Sequence, residues 1–319
     1  MTAVTAGCVR DGSAGANEAS EAVGDDGAIT LALNAAESRV QAAALRGGET
    51  VFAQEWHVPS QGTELLAPAL ADAFARMRLS LRDVRRIACV QGPGSFTGLR
   101  LVLSTAAGMA RALGAEQAGL SYTQLLACGP LLPRGAVLWV LTHARRGLVH
   151  MQAFRTPGET VEVAGLSGDT AQPSPLPAPL TPVEAATLNA AVARMVAAQF
   201  DEDAATAGTT AAPSEEHGSG RVFLMGSGAT RNQAALAPAL ATLLPEARFV
   251  PARFDHPAPA LLLPLAAAAA YGPDDVQPLY VRPCDAEENL PAMAAARGMD
   301  PEQARRELAR LTTAPLTPA

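Results

Sequence analysis

The sequence predicts an α/β protein, with sheets covered by helices. Three observations carry that expectation: a run of three short apolar strands near residue 29, a buried strand that leads through a glycine-rich turn into a long helix at 92–113, and a second strand–helix alternation after residue 135. About half of the 319 residues are apolar, enough for a sizeable core. No apolar run reaches the roughly 20 residues that a membrane-spanning helix needs.

Residues 1–27 are mostly Gly, Ala, Ser and acidic residues, and read as a disordered extension or a start codon placed too far upstream. They lack the basic start and apolar block of a signal peptide. Residues 29–34 and 39–45 are short apolar, alternating runs, and the Gly47-Gly48 pair after them signals a hairpin. Residues 51–58 form the third strand. A helix follows at 63–78, with Thr63 as its cap, Glu64 at its positive end, and Leu66, Leu70 and Phe74 at i, i+4, i+8. Pro68 sits near its first turn, where it costs few amide bonds. Residues 80–83 turn the chain into a strand at 86–91, and the glycine-rich segment and its helix to Leu113 come next.

The second half starts near Gly135. Strands are expected at 137–142 and 148–154, a helix at 182–199 opened by Thr181 and Pro182, a strand at 221–226, a helix at 233–244, a short strand at 248–251 and a buried Ala-rich helix at 261–271. Residues 277–282 are extended. A Pro-rich loop at about 165–181 and an insert at about 200–220 lack order signals. The tail, 284–319, holds one polar helix at 301–311 and nothing core-like. No internal repeat at fixed spacing is visible. The division expected is an extension at 1–27, one lobe at 28–134, a second at 135–283, and the tail.

Charge and reactive residues exclude several functions. The net charge is −7, and the densest basic cluster is Arg76, Arg78, Arg82, Arg85 and Arg86, so a chain gripping RNA unaided is not expected. Cys8, Cys89, Cys128 and Cys284 show no CxxC spacing and suit a reducing cytoplasm, where thiols serve as small core residues. His57, His143, His150, His217 and His256 include no i, i+4 pair, so a helix-borne metal site and a metalloprotease are not expected.

The information concentrates in Gly92-Pro93-Gly94-Ser95-Phe96-Thr97-Gly98-Leu99-Arg100. Its residues describe a strand end, a tight turn and a helix start capped by Ser95 or Thr97, and a phosphate site or a structural turn both fit. It has neither the Gly-Lys-Ser/Thr of a P-loop nor the frame of a nucleophile elbow. On a helical wheel, Leu101, Val102, Leu103, Ala106, Met109, Ala110, Ala112 and Leu113 occupy about two thirds of the following helix. Arg100, Ser104, Ala107 and Arg111 share the remaining stripe, with Gly108 beside it. This stripe is either a helix-docking face or an ordinary exposed one.

The nine-residue segment, with Ala107-Gly108-Met109-Ala110 behind it, resembles the signature of the TsaB family. Residues 29–33 as first strand, 61–68 opening the first helix, Gly114 with Leu120-Ser121-Tyr122-Thr123, and Pro278-Leu279-Tyr280-Val281-Arg282 occur in family order. The resemblance spans about 28–283 and is strongest at 85–125. It implies an actin/Hsp70-like (ASKHA) two-lobed fold and a cytoplasmic, non-catalytic subunit of tRNA threonylcarbamoyladenosine synthesis. Such a subunit pairs with TsaD, is joined by the ATPase TsaE, and meets tRNA only through the complex. The resemblance places the pairing surface on the helices at 63–78 and 98–113, and from it we expect Leu66, Leu70, Phe74, Arg100, Ser104, Ala107, Gly108 and Arg111 at the interface. Asn34 stands where catalytic relatives have Asp, the hairpin 34–38 has no glycine, Gly62 replaces a His, and His143-Ala144-Arg145 replaces Asp-Ala-Arg. No cofactor is therefore expected on the chain alone, and ATP or ADP with Mg²⁺ only at an interface shared with the partner. The alternatives are an independent ATPase or kinase of the same fold, and a self-pairing homodimer.

Overall fold

A computed structural model describes residues 27–57, 62–157, 175–207, 221–281 and 285–313. Most of the extension, the first part of the Pro-rich loop, and the insert from 208 onward lie outside the described residues, as do Cys8, His217, Arg282 and Cys284.

The first lobe opens as the alternation predicts, with strands β1 (Ile29–Asn34), β2 (Arg39–Arg46) and β3 (Glu49–His57). Helix α1 (Gly62–Arg76), strand β4 (Val84–Gly92), helix α2 (Phe96–Leu113), strand β5 (Glu116–Ser121) and the short α3 (Tyr122–Ala127) follow. The second lobe adds β6 (Val137–Arg145), β7 (Leu148–Arg155), β8 (Ala178–Pro179), β9 (Glu184–Thr187), α4 (Leu188–Ala207), β10 (Val222–Met225), α5 (Ser227–Arg231), α6 (Gln233–Leu243) and β11 (Arg248–Phe249). Helix α7 (Leu262–Ala267) and the tail helices α8 (Asp285–Ala296) and α9 (Pro301–Thr313) complete the described chain.

The first sheet has the order β3-β2-β1-β4-β5, with β2 antiparallel to its neighbours and β4 and β5 parallel to β1. The second repeats this plan. β6 pairs antiparallel with β7, β7 with β9, and β10 and β11 extend the other edge in parallel. Two copies of one sheet topology make this an actin/Hsp70-like two-lobed fold. The duplication leaves no trace at fixed spacing, because the connections differ in length between the lobes.

Strand periodicity sorts the core into layers. Ile29, Leu31 and Leu33 of β1 point to the outer side, where α1 and α2 cover them, while Ala32 points inward. Leu138 and Val140 of β6 point inward, and Val137, Trp139 and Leu141 point outward. The inward residues of both sheets meet in one shared core with Leu125 and Leu126 of α3 and Leu262, Leu263 and Leu265 of α7. The alanines Ala32, Ala43 and Ala88 there give the inserted helices room to approach the strands.

Several expectations are corrected. α1 ends at Arg76 because Arg78 takes a left-handed conformation (φ 53°), which no α-helix continues. The helix expected at 182–199 begins only at Leu188. Thr181 is not its cap, because its hydroxyl accepts from the Ala153 amide (3.0 Å), and residues 184–187 are drawn onto the edge of β7 as β9. Thr187 accepts from the Ala190 amide instead. The strand at 116–121 and α3 were not foreseen. The tail contains a second helix, α8, packed on α9, with Ala294 buried. The second lobe also ends before residue 283. α7 packs on β1, β2 and β5, Gln117 bridges to Gly272, and the Leu279 amide donates to Gln91 O (2.7 Å), so the chain returns to the first lobe.

Candidate partner-docking surface

Gly92–Arg100 is a turn gripped from two sides. On one side lies the β1–β2 hairpin, where the Ser95 amide donates to Ala36 O (2.6 Å). A Cβ on Gly94 would run into Ala36 O, and one on Gly98 into Ala35 O, both well inside contact distance. On the other side lies the returning chain. Gly92 has φ 131° and would place a Cβ 2.9 Å from Leu279 O. The Gly92–Pro93 bond is cis. Ser95 caps α2, its hydroxyl accepting from Gly98 N at 3.4 Å, and Gly114 ends the helix in the left-handed region. The glycines are thus spent on close backbone packing within the chain. That favours the structural-turn reading of the motif over a phosphate cradle.

The second lobe uses the same device. Gly226 (φ 100°) would place a Cβ 2.5 Å from Leu141 O, and Gly228 one 2.7 Å from Thr142 O. The turn after β4 packs against the β1–β2 hairpin, and the turn after β10 packs against β6.

Phe96 and Tyr280, each 48% exposed, stack with centroids 5.7 Å apart, and the Arg100 guanidinium lies 3.9 Å from the Phe96 centroid. This brace fixes the returning chain to the start of α2. Arg111, near the end of α2, pairs with Asp275 of the same returning segment. Both arginines that bound the stripe are therefore held by the chain itself.

Helix α2 buries Leu99, Val102, Ala106 and Ala110. Arg100, Ser104, Gly108 and Arg111 are exposed and Ala107 is half-buried, as the wheel expects, but Ala112 is exposed rather than in the apolar arc. Gly108 is the informative residue. A Cβ there would meet nothing within 4 Å, so no packing inside the chain calls for glycine in mid-helix, where it costs about 1 kcal/mol against alanine.

Helix α1 corrects the interface expectation. Leu66, Leu70 and Phe74 are 1%, 3% and 2% exposed and belong to the core beneath the first sheet's outer face, with Phe74 packed edge-on against Phe52. They cannot meet a partner in the folded chain. The face that α1 leaves open carries Thr63, Glu64, Ala67, Pro68, Ala71, Asp72, Ala75 and Arg76. Ala67, Ala71 and Ala75 recur every four residues as a smooth stripe on a helix that touches α2.

The hairpin replacement also acquires a role. Asn34 is buried, accepts from the Ala36 amide (2.9 Å) and donates to Gln41 Oε1 (2.8 Å), closing the turn that receives Gly94 and Gly98. Burial pushes the Cys89 and Cys128 thiols up to about 12, which leaves them protonated and unreactive at neutral pH. Among the described residues no cluster of His, Cys, Asp or Glu could hold a metal ion, and no helix is long and apolar enough to cross a membrane.

Residues 58–252 match the family model described as TsaD: tRNA N6-adenosine threonylcarbamoyltransferase. The tRNA threonylcarbamoyladenosine biosynthesis protein TsaB of Escherichia coli (strain K12) is 32% identical over 128 residues, 39% of this chain and 54% of that protein. The chain thus spans about half the length of the curated relative it matches. Among solved structures, an uncharacterized Pseudomonas aeruginosa protein with similarity to peptidase YeaZ aligns with a TM-score of 0.56 at 19% identity. The alignment covers 80% of this chain and 100% of that one. YeaZ from Pseudomonas aeruginosa aligns with a TM-score of 0.50 at 17% identity, covering 87% and 97%. Those two likenesses establish fold. With the family match running over more than half of its length, the chain belongs to the family described as TsaD: tRNA N6-adenosine threonylcarbamoyltransferase.

Proposed function

We propose that this chain is a non-catalytic subunit of the machinery that makes threonylcarbamoyladenosine in tRNA, and that it pairs with a TsaD-type subunit through the open faces of α1 and α2. A TsaE-type ATPase joins the pair, and tRNA is met through the assembly. The observation that carries the reading is Gly108, an exposed mid-helix glycine beside Ser104 and Ala107, on a helix that touches α1, whose own open face carries the alanine stripe. Small residues on two adjacent helices let a partner's helices approach to backbone distance. Nucleotide, where it acts, lies at the interface shared with the partner rather than on this chain alone.

Gly108→Ala separates the two roles of that position. The isolated chain should gain about 0.5–1 kcal/mol in chemical denaturation, because alanine is the better helix former and meets no neighbour. Its affinity for the TsaD-type subunit from the same source, measured by titration calorimetry, should fall at the same time. A stabilised variant that binds as tightly as wild type removes this face from the interface. Absence of any complex with wild type removes the functional reading.

A further inference from the structure

A carboxylate of the first lobe bonds to the second. Glu37 sits at the tip of the β1–β2 hairpin, and its Oε1 accepts from the Ser227 hydroxyl of the second lobe at 2.6 Å. The Ser227 hydroxyl itself accepts from the His143 amide (3.0 Å), so its own proton is directed at Glu37. Glu37 Oε2 lies 3.3 Å from His256 Nδ1, an ion pair when the imidazole is protonated. Ser227 is buried, and these contacts join residues 190 positions apart in sequence.

The strand of chain around His256 is tied to both lobes. Asp255 is buried and is hydrogen-bonded by Thr230 and the Gly226 amide of the second lobe. Two residues on, Pro257 O accepts from Gln41 Nε2 of the first lobe at 2.6 Å. Glu37 therefore closes a ring: first-lobe hairpin, Ser227, the Asp255–Pro257 strap, and back through Gln41. Tyr122, from the α3 helix between the sheets, is fully buried beside the same carboxylate.

We propose that Glu37 is an interlobe latch, with Ser227 and His256 as its catch, which couples the first hairpin to the second-lobe turn at the edge of the shared core and makes the two open together. A hydrogen bond to a largely buried carboxylate is among the stronger contacts available to a folded chain, and this one joins segments from the two lobes. The device does not depend on the identity of the partner bound at α1 and α2.

The test is amide hydrogen exchange on the full-length chain. Glu37→Ala should speed exchange about tenfold at 34–38 and also at 226–231 and 255–257, while β4 and β6 stay protected. Ser227→Ala, placed on the opposite lobe, should loosen hairpin 34–38 by a similar factor, and the double variant should add little beyond either. Acceleration confined to the mutated segment in each variant overturns the latch, as does unchanged exchange in both.

Discussion

Gly98→Ala should destabilise the chain by about 3 kcal/mol in denaturant unfolding, a loss large enough to lower its soluble yield. The reason lies in one atom. Gly98 opens α2 directly over the β1–β2 hairpin, and a Cβ would overlap the backbone oxygen of Ala35. A backbone oxygen cannot rotate away like a side-chain tip, and this turn is pinned by Asn34 and by the Ser95 amide on Ala36 O. Either the helix start or the hairpin has to shift. Gly94→Ala meets Ala36 in the same way and should give a loss of similar size. Gly108→Ala is the control, since the same chemical change in open space goes in the opposite direction. Equal effects at 98 and 108 would show that helix propensity, rather than backbone contact, sets the requirement at the motif.

Phe74→Ala should cost about 3–5 kcal/mol, the usual range for removing a buried aromatic ring. Phe74 is 2% exposed and its ring meets Phe52 at 5.7 Å, 75° from parallel, so its loss empties a space bounded by β3 and the outer face of the sheet. Were Phe74 an interface residue, as the family resemblance implies, its removal would weaken the complex and spare the isolated chain. Thermal unfolding of the chain alone separates the two: a marked fall in the midpoint confirms the core placement, and an unchanged midpoint refutes it.

The sequence exposes the first lobe more fully than the second, for physical reasons. β1 to β3 alternate cleanly and β4 runs into a turn whose glycines are unmistakable, so local pattern and tertiary pairing agree there. At 182–187 they disagree. Pro182 and the following alanines favour a helix start, but the open edge of β7 takes Glu184–Thr187 as a strand. β5 was hidden because Glu116 and Gly119 interrupt its apolar run, and its place depends on parallel pairing with β4, which leaves no mark in local sequence. The α8 helix carries Pro291 and only two large apolar residues, Leu290 and Met293, so only its packing on α9 reveals it.

The docking surface divides along similar lines. The face of α2 was legible, since four of its expected residues are exposed and one is half-buried. The face of α1 was not, because an apolar stripe at i, i+4, i+8 marks what a helix buries without saying whether its own fold or a partner covers it. The alanines on the other side carry no hydrophobic signal and stand out only once Leu66, Leu70 and Phe74 are seen in the core. The interlobe bond from Glu37 to Ser227 has no signature in sequence, since it joins two polar residues in separate lobes.

If the small-residue face of α2 receives a TsaD-type partner, Ala107→Arg should block the pairing. The variant chain is purified, its unfolding midpoint is compared with wild type, and its binding to the TsaD-type subunit of the same source is measured. Ser104→Arg, on an exposed neighbour, serves as a second probe. The account predicts chains that fold normally and lose at least about tenfold in affinity, because a long charged side chain would hold the helices apart. Wild-type affinity in folded Ala107→Arg and Ser104→Arg chains would contradict it.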